Sequence, residues 1–301
     1  MASTGNPAIV VGVDGSDRAL HAVRWAALSA ARHRAPLRLV HAAAFPDLFV
    51  GAAVPPPPGV KDLLRARGWK LLREARRLAE SVATVDLHTE VVPDLPAPYF
   101  VEASKSARML VLGASGRGQF TGLLAGSITV NLAAHAHCPV VAVRGEGWEE
   151  ARGDRPVVVG IDGSPASEPA IEYAFAEASA RDVGLVAVHA WGDGDFASVF
   201  AEAELYFEWE PLGDSERRLL AERLAGWSEK YPDVPVERVV VRDRPRHELL
   251  TRSKSAQLVV VGSRGRGGFG GLLLGSTSQA LLHRADCPVM IARPNIDGGN
   301  Q

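Results

Sequence analysis

Cysteine is nearly missing from this chain of 301 residues: there are two, Cys138 and Cys287, at matching places in its two halves. So few thiols cannot form a disulfide framework, and their matched positions argue for equivalent buried thiols in a reducing compartment. An excess of either charge is missing too. Lys and Arg number 33 against 35 Asp and Glu, a formal net charge of −2. That removes the electrostatic case for a nucleic-acid binder, which neutralises phosphates with a clustered basic surface. A mononucleotide needs no such surface. Long hydrophobic runs are absent as well: none approaches the roughly 18 apolar residues of a membrane span. Met1 to Pro7 has neither the basic nor the apolar region of a secretory leader. The expectation is a cytoplasmic protein with no membrane or nucleic-acid partner.

What is present is a soluble globular balance, with 47% apolar and 23% charged residues, and a length that fits two domains of about 150 residues. An internal repeat organises it. Val11-Gly-Val-Asp-Gly-Ser16 recurs as Val159-Gly-Ile-Asp-Gly-Ser164, and His41-Ala42 as His189-Ala190, both 148 residues on. Gly113-Ala-Ser-Gly116 recurs as Gly262-Ser-Arg-Gly265, and Cys138-Pro-Val140 as Cys287-Pro-Val289, at an offset of 149. Four matches in one order mean duplication. The expected domains are residues 1–146 and 154–294, joined by a Gly-rich, charged linker around Gly145 to Arg155.

Each half alternates short β-branched runs with helix-period segments, the pattern of a parallel sheet covered by helices on both faces. In the first half the strands are expected at Ala8 to Val13, Leu37 to His41, Leu87 to Val92, Met109 to Leu112 and Val140 to Val143. The first helix carries Ala22, Val23, Ala26, Ala27 and Ala30 on one stripe, and its counterpart Ala170, Ile171, Ala174, Phe175 and Ala178. Ser164 before Pro165 reads as a helix start with a side-chain cap. The segments after the second strands differ: Phe45 to Val60 holds four consecutive prolines, Pro55 to Pro58, whereas Trp191 to Glu210 mixes acidic and aromatic residues. They read as surface divergence, or as two unequal lids or a partner surface.

The chemistry is expected after the fourth strand of each half. There stand Gly113-x-x-Gly116, nine residues, then Gly126-Ser127, and again Gly262-x-x-Gly265, nine residues, then Gly275-Ser276. Glycines at the end of a buried strand let backbone N–H groups approach an anion, and Gly-Ser opening the next helix adds a hydroxyl at its positive end. This is a phosphate cradle. Thr129, Thr277 and Ser278 in the following turn offer further hydroxyls. Asp14 and Asp162 end the first strands. If strand order reverses there, each faces the glycine loop and accepts a ribose or adenine donor. They can also simply make a turn and cap a helix, and both roles can coexist. The backbone of Ala42 and Ala190 would meet the base edge. Gly12, Ser115, Arg117, Gly118, Gln119 and Ile128 complete the first candidate site; Gly160, Asp193, Ser263, Arg264, Arg266 and Gly267 complete the second.

Taken together, these residues resemble the universal stress protein family, in its tandem, ATP-binding branch. The family's G-2x-G-9x-G-S/T motif stands twice, its acid at the end of strand one stands at Asp14 and Asp162, and Cys-Pro-Val begins strand five in both halves. The resemblance covers nearly the whole chain. It implies two tandem Rossmann-like or flavodoxin-like α/β domains, each a five-stranded parallel sheet in order 3-2-1-4-5. It further implies one ATP per domain, with or without Mg2+, a homodimer assembled through the fifth strands, and a regulatory role in stress or dormancy. Ala114 departs from the family, where many members carry Ser, and removes one side-chain contact from the first site. The fifth strands, Val140 to Val143 and Val289 to Ala292, are apolar edges that need cover.

Other chemistries fit less well. Gly265-x-Gly267-x-x-Gly270 matches a dinucleotide fingerprint with Asp286 downstream, but it follows a fourth strand and Asp286 precedes one, so the context fails. No Lys stands where a P-loop would place one, and the arginines Arg117, Arg264 and Arg266 supply the only nearby charge. His41 and His189 end buried strands and read as packed, hydrogen-bonded histidines. His135, His137 and Cys138 are matched only by His283, Asp286 and Cys287, without a shared ligand spacing, which rejects a metal cluster. The expected function is a nucleotide-responsive regulator, with a slow ATPase or nucleotide hydrolase using the same sites as the alternative. Intact twin motifs argue against a purely structural dimerisation module.

Overall fold

The computed structural model describes residues 6–43, 59–114, 126–145, 155–191, 210–242, 244–265 and 274–293, with side chains omitted at 210–212. The chain divides after Arg144 into two units. The first runs β1 (Ile9–Gly12), α1 (Asp17–His33), β2 (Leu37–Ala42), α2 (Val60–Val82), β3 (Leu87–Val92), α3 (Pro96–Ala103), β4 (Met109–Gly113), α4 (Ser127–His135) and β5 (Val140–Val143). The second repeats it as β6 (Val157–Ile161), α5 (Glu168–Arg181), β7 (Leu185–Trp191), α6 (Glu210–Lys230), β8 (Val236–Arg242), α7 (Pro245–Arg252), β9 (Leu258–Gly262), α8 (Ser276–Arg284) and β10 (Val289–Ala292).

In the first unit β1 pairs parallel with both β2 and β4, β2 with β3 and β4 with β5, giving the order 3-2-1-4-5. The second unit repeats this, with β6 between β7 and β9, β8 outside β7 and β10 beside β9. Successive strands step one way from β1 and then the other, so a crevice opens at the C-terminal ends of β1 and β4. Asp14 and Ala114 lie at its two sides.

Strands β4 and β9 are apolar because both their faces are covered, and the first four residues of each are buried. On one face of the first sheet, α1 buries Ala22, Val23, Trp25, Ala26, Ala27 and Ala30. Val10, Val40, Leu110 and Leu112 pack with Phe100 of α3 and Leu132 of α4. Each helix after a first strand ends on a left-handed residue that is not glycine, Arg34 (φ 49°) and Asp182 (φ 55°), whose N–H groups return to the last carbonyls.

One local expectation fails. Ser164 does not cap α5. Its neighbours Pro165–Ser167 form a 3-10 turn in which the Ser167 N–H donates to the Ser164 carbonyl at 3.1 Å, and α5 begins only at Glu168. The tighter turn delivers the amide to a carbonyl three residues back and leaves the Ser164 hydroxyl to donate to Asp162. In the first unit Ser16 is a true cap, its Oγ accepting from Ala19 N at 3.2 Å. We therefore expect Ser16→Ala to destabilise its unit by about 1 kcal/mol and Ser164→Ala by clearly less, as read from urea unfolding of the two variants; equal losses would contradict this assignment.

Candidate functional site

The acid side of each crevice is built by close packing and pinned by a histidine. At Gly12 a Cβ would lie 2.7 Å from Leu112 Cδ2, and at Gly160 2.8 Å from Leu249 Cδ1. Packing against β4 and α7, respectively, therefore accounts for both glycines. The carbonyl of Val13 accepts from His41 Nδ1–H at 2.7 Å, and that of Ile161 from His189 Nδ1–H at 2.9 Å. A carbonyl oxygen only accepts, so the proton sits on Nδ1 in both rings. These are the packed histidines expected from the sequence, and they tie β2 and β7 to the backbone just before each acid. His189 is fully buried, and its Nε2 meets Glu216 Oε2 at 2.6 Å.

Asp14 Oδ1 accepts from Ser16 N at 2.9 Å and Ser16 Oγ at 2.6 Å, so the turn-and-cap role is present. Asp162 Oδ1 accepts from Ser164 N at 2.9 Å, Ser164 Oγ at 2.7 Å and Ser167 Oγ at 2.5 Å. The other oxygen points elsewhere: a Cβ built at Gly265 would stand 2.9 Å from Asp162 Oδ2. The acid and the second glycine of the motif thus meet across the crevice.

The first glycine of each motif has a different reason to be there. A Cβ on Gly113 would fall 2.5 Å from the carbonyl carbon and oxygen of Arg18, and one on Gly262 3.2 Å from the Ala166 carbonyl oxygen. Without a side chain, the strand end lies against the first turn of the helix that follows the acid. Ala114 and Ser263 extend the ladder, their N–H groups donating to Val143 (2.9 Å) and Ala292 (3.1 Å). Ala42 closes β2 and Ala190 is the last residue but one of β7, in register with Val92 and Val241. Ser115, Gly116, Arg117, Gly118, Gln119, Asp193, Arg266 and Gly267 lie outside the described residues, as do both segments following the second strands, 44–58 and 192–209.

Gly126 and Gly275 stand before α4 and α8 with φ −57° and −67°, values any residue adopts. Among the described residues, a Cβ at Gly126 would meet nothing nearer than Thr129 Oγ1 at 3.8 Å, and one at Gly275 would stand at ordinary contact distance, 3.5 Å, from Arg264 Cα and the Ser263 carbonyl oxygen. Neither backbone conformation nor packing against the described residues demands glycine at these two places. Ser127 and Ser276 open the helices exposed, Ile128 and Thr277 are half-buried, and Thr129 and Ser278 are buried. The Ser278 hydroxyl donates to the Gly262 carbonyl at 2.7 Å, so its proton is already committed to joining α8 to β9. First-turn amides give each helix start a positive field.

The second unit also holds a charged residue near Arg264 that sequence reasoning missed. Arg293 follows β10; burial, and then the neighbouring Arg264 charge, lower its pKa. Two guanidinium groups thus stand near enough to repel at the edge of the glycine motif. The signal was available: Arg144 and Arg293 follow the fifth strands at the repeat offset. Among the described residues no group of three or more His, Cys, Asp or Glu is arranged to hold a metal ion, and no helix is long and apolar enough to cross a membrane. Neither cysteine is in a disulfide, and burial pushes the Cys138 thiol up to about 12.

Residues 6–144 and 154–293, each holding one full copy of this arrangement, match the universal stress protein family. The chain belongs to that family. A universal stress protein of Mycobacterium tuberculosis is 43% identical over 301 residues, covering 98% of this chain and 99% of the relative. One from Mycolicibacterium smegmatis is 43% identical over 291 residues, covering 95% and 97%. The crystal structure of a universal stress protein from Archaeoglobus fulgidus shares the fold, with a TM-score of 0.69 at 18% identity over 95% of this chain and 98% of that one. The two tandem universal stress protein domains are α/β throughout.

The two kinds of glycine make a contrast that can be measured. Gly113→Val places carbon atoms inside the backbone of α1 and should destabilise by about 1–3 kcal/mol or more. Gly126→Val should change stability by no more than roughly 0.5 kcal/mol. Thermal unfolding of both variants checks this; a Gly126→Val loss as large as that of Gly113→Val would show that the fold needs both glycines.

Proposed function

We propose that this tandem universal stress protein binds one ATP in each half and acts as a nucleotide-responsive regulator in stress or dormancy. The observation that carries the reading is the pair Gly126 and Gly275. Nothing among the described residues requires a missing side chain at either, and a Cβ there would fill the space before a helix N-terminus where a phosphate chain fits. ATP supplies a polyanionic end and a ribose-adenine end. In this reading the amides and hydroxyls of Ser127 and Ser276, with the amides of Ile128, Thr129, Thr277 and Ser278, take the phosphates. Arg264, with Arg117 and Arg266, adds charge. Asp14 and Asp162 accept from the ribose or base across the glycines Gly116 and Gly265, and Ala42 and Ala190 border the adenine. Mg2+ would be held chiefly by the phosphates themselves. Homodimer assembly through the fifth strands and a cytoplasmic location belong to the same proposal.

The reading favours a switch over an enzyme. Phosphoryl transfer is accelerated almost wholly by positioning and by neutralising charge that develops in the transition state. Amides and hydroxyls that hold ground-state phosphates equally well do not raise turnover. Titration calorimetry should give about two ATP per chain, with turnover far below the roughly 1–100 per second of kinases, and Gly126→Val or Gly275→Val should each remove one site while leaving the fold intact. Turnover near one per second, lost on Ser127→Ala with Ser276→Ala while ATP affinity survives, would make the protein an enzyme.

A further inference from the structure

The two acids occupy equivalent places but are held differently. Asp14 is exposed and accepts from the N–H and the hydroxyl of one residue, Ser16. Asp162 is half-buried and has a second serine behind it. Ser167, 5% exposed, donates its hydroxyl proton to Asp162 Oδ1 at 2.5 Å and accepts from the Asp162 N–H at 3.1 Å. This reciprocal pair fixes both the backbone and the side chain of the acid. The repeat places Ala19 where Ser167 stands, and Ala19 lies inside α1 with no hydroxyl to offer. The 3-10 turn peculiar to the second unit is what carries Ser167 round to face the acid. The bonds from Ser164 and Ser167 converge on Oδ1, and Oδ2 lies toward Gly265.

We propose that Ser167 is a positioning residue that orients Asp162 Oδ2 toward bound nucleotide and makes the second half the tighter of the two sites. This rests on the reading of the crevices as nucleotide sites. Its physical basis is preorganisation: a side chain already immobilised in its bound geometry does not lose that freedom on binding, a saving equivalent to about two- to tenfold in affinity per side chain. The opposing effect is that extra donors weaken a carboxylate as an acceptor. The donors of Ser164 and Ser167 act on Oδ1, whereas Oδ2 is the oxygen on the Gly265 side.

The experiment is calorimetric titration of the full chain with ATP. The unmodified protein should show two classes of site, two- to tenfold apart. Ser167→Ala should weaken the tighter class by that factor and leave the weaker class unchanged, and its unfolding profile without nucleotide reports any loss of fold separately. In an Asp162→Ala background, where the weakened site is followed in the presence of Gly126→Val, the serine change should add nothing, because a residue that acts through the acid has no effect once the acid is gone. Equal sites in the unmodified chain overturn the proposal whatever the variants do. So does a silent Ser167→Ala, or a full additional loss in the Asp162→Ala background. Failure of ATP to bind either half overturns the nucleotide reading itself, which is a distinct result from equal binding.

Discussion

The first turn of α1 can lie against the end of β4 only because Gly113 carries no side chain; at Gly262 the same approach is looser, a Cβ there standing 3.2 Å from the Ala166 carbonyl oxygen. A single methyl group would meet backbone atoms of Arg18 at 2.5 Å, a separation no packed structure tolerates. The rest of the crevice follows from this contact. It brings the segment bearing the acid beside the start of the glycine motif and sets Asp162 against Gly265. The histidines complete the frame by fastening the second strand to the carbonyl immediately before each acid. Among the described residues of the second unit, two of the motif's three glycines stand in close contact with neighbouring protein atoms, and the third, Gly275, has its neighbours at ordinary contact distance.

Duplication has preserved this frame while letting its supports diverge. Gly68 allows α2 to pack on His41, since a Cβ there would stand 2.7 Å from the ring. The equivalent place in α6 is Glu216, which reaches the His189 ring with a carboxylate instead. A close helix approach in one unit and a buried polar pair in the other hold the same imidazole. The helix starts diverge similarly, with Ser16 capping α1 directly and Ser164 yielding to a 3-10 turn. Such substitutions keep the backbone fixed and change how rigidly each acid is held.

Much of this was legible in the sequence because it rests on periodicity and repetition. The strand segments stand within a residue or two of where β-branched runs place them, since a strand buried on both faces has little choice of composition. The repeat located both acids and both motifs. What the sequence could not convey is which atom takes which proton. Ser164 before Pro165 has the composition of a cap, yet the turn that forms sends the amide to a carbonyl. Ser278 has the position of a phosphate donor, yet its hydroxyl is bonded to Gly262. Gly113 and Gly126 look alike in a motif, and only their three-dimensional neighbours separate a packing glycine from one whose space is open. Arg293 was hidden because its partner Arg264 is 29 residues away in sequence.

The central claim is that the space before α4 and α8, unneeded by the fold, belongs to the phosphates of ATP. Purified protein, denatured without added nucleotide and its released small molecules identified by mass spectrometry, tests this most directly. The account predicts adenosine triphosphate, at up to about two per chain, and its loss from the Gly126→Val, Gly275→Val double variant. Release of a dinucleotide, or a chain that carries no nucleotide and takes up none from millimolar ATP, would contradict it.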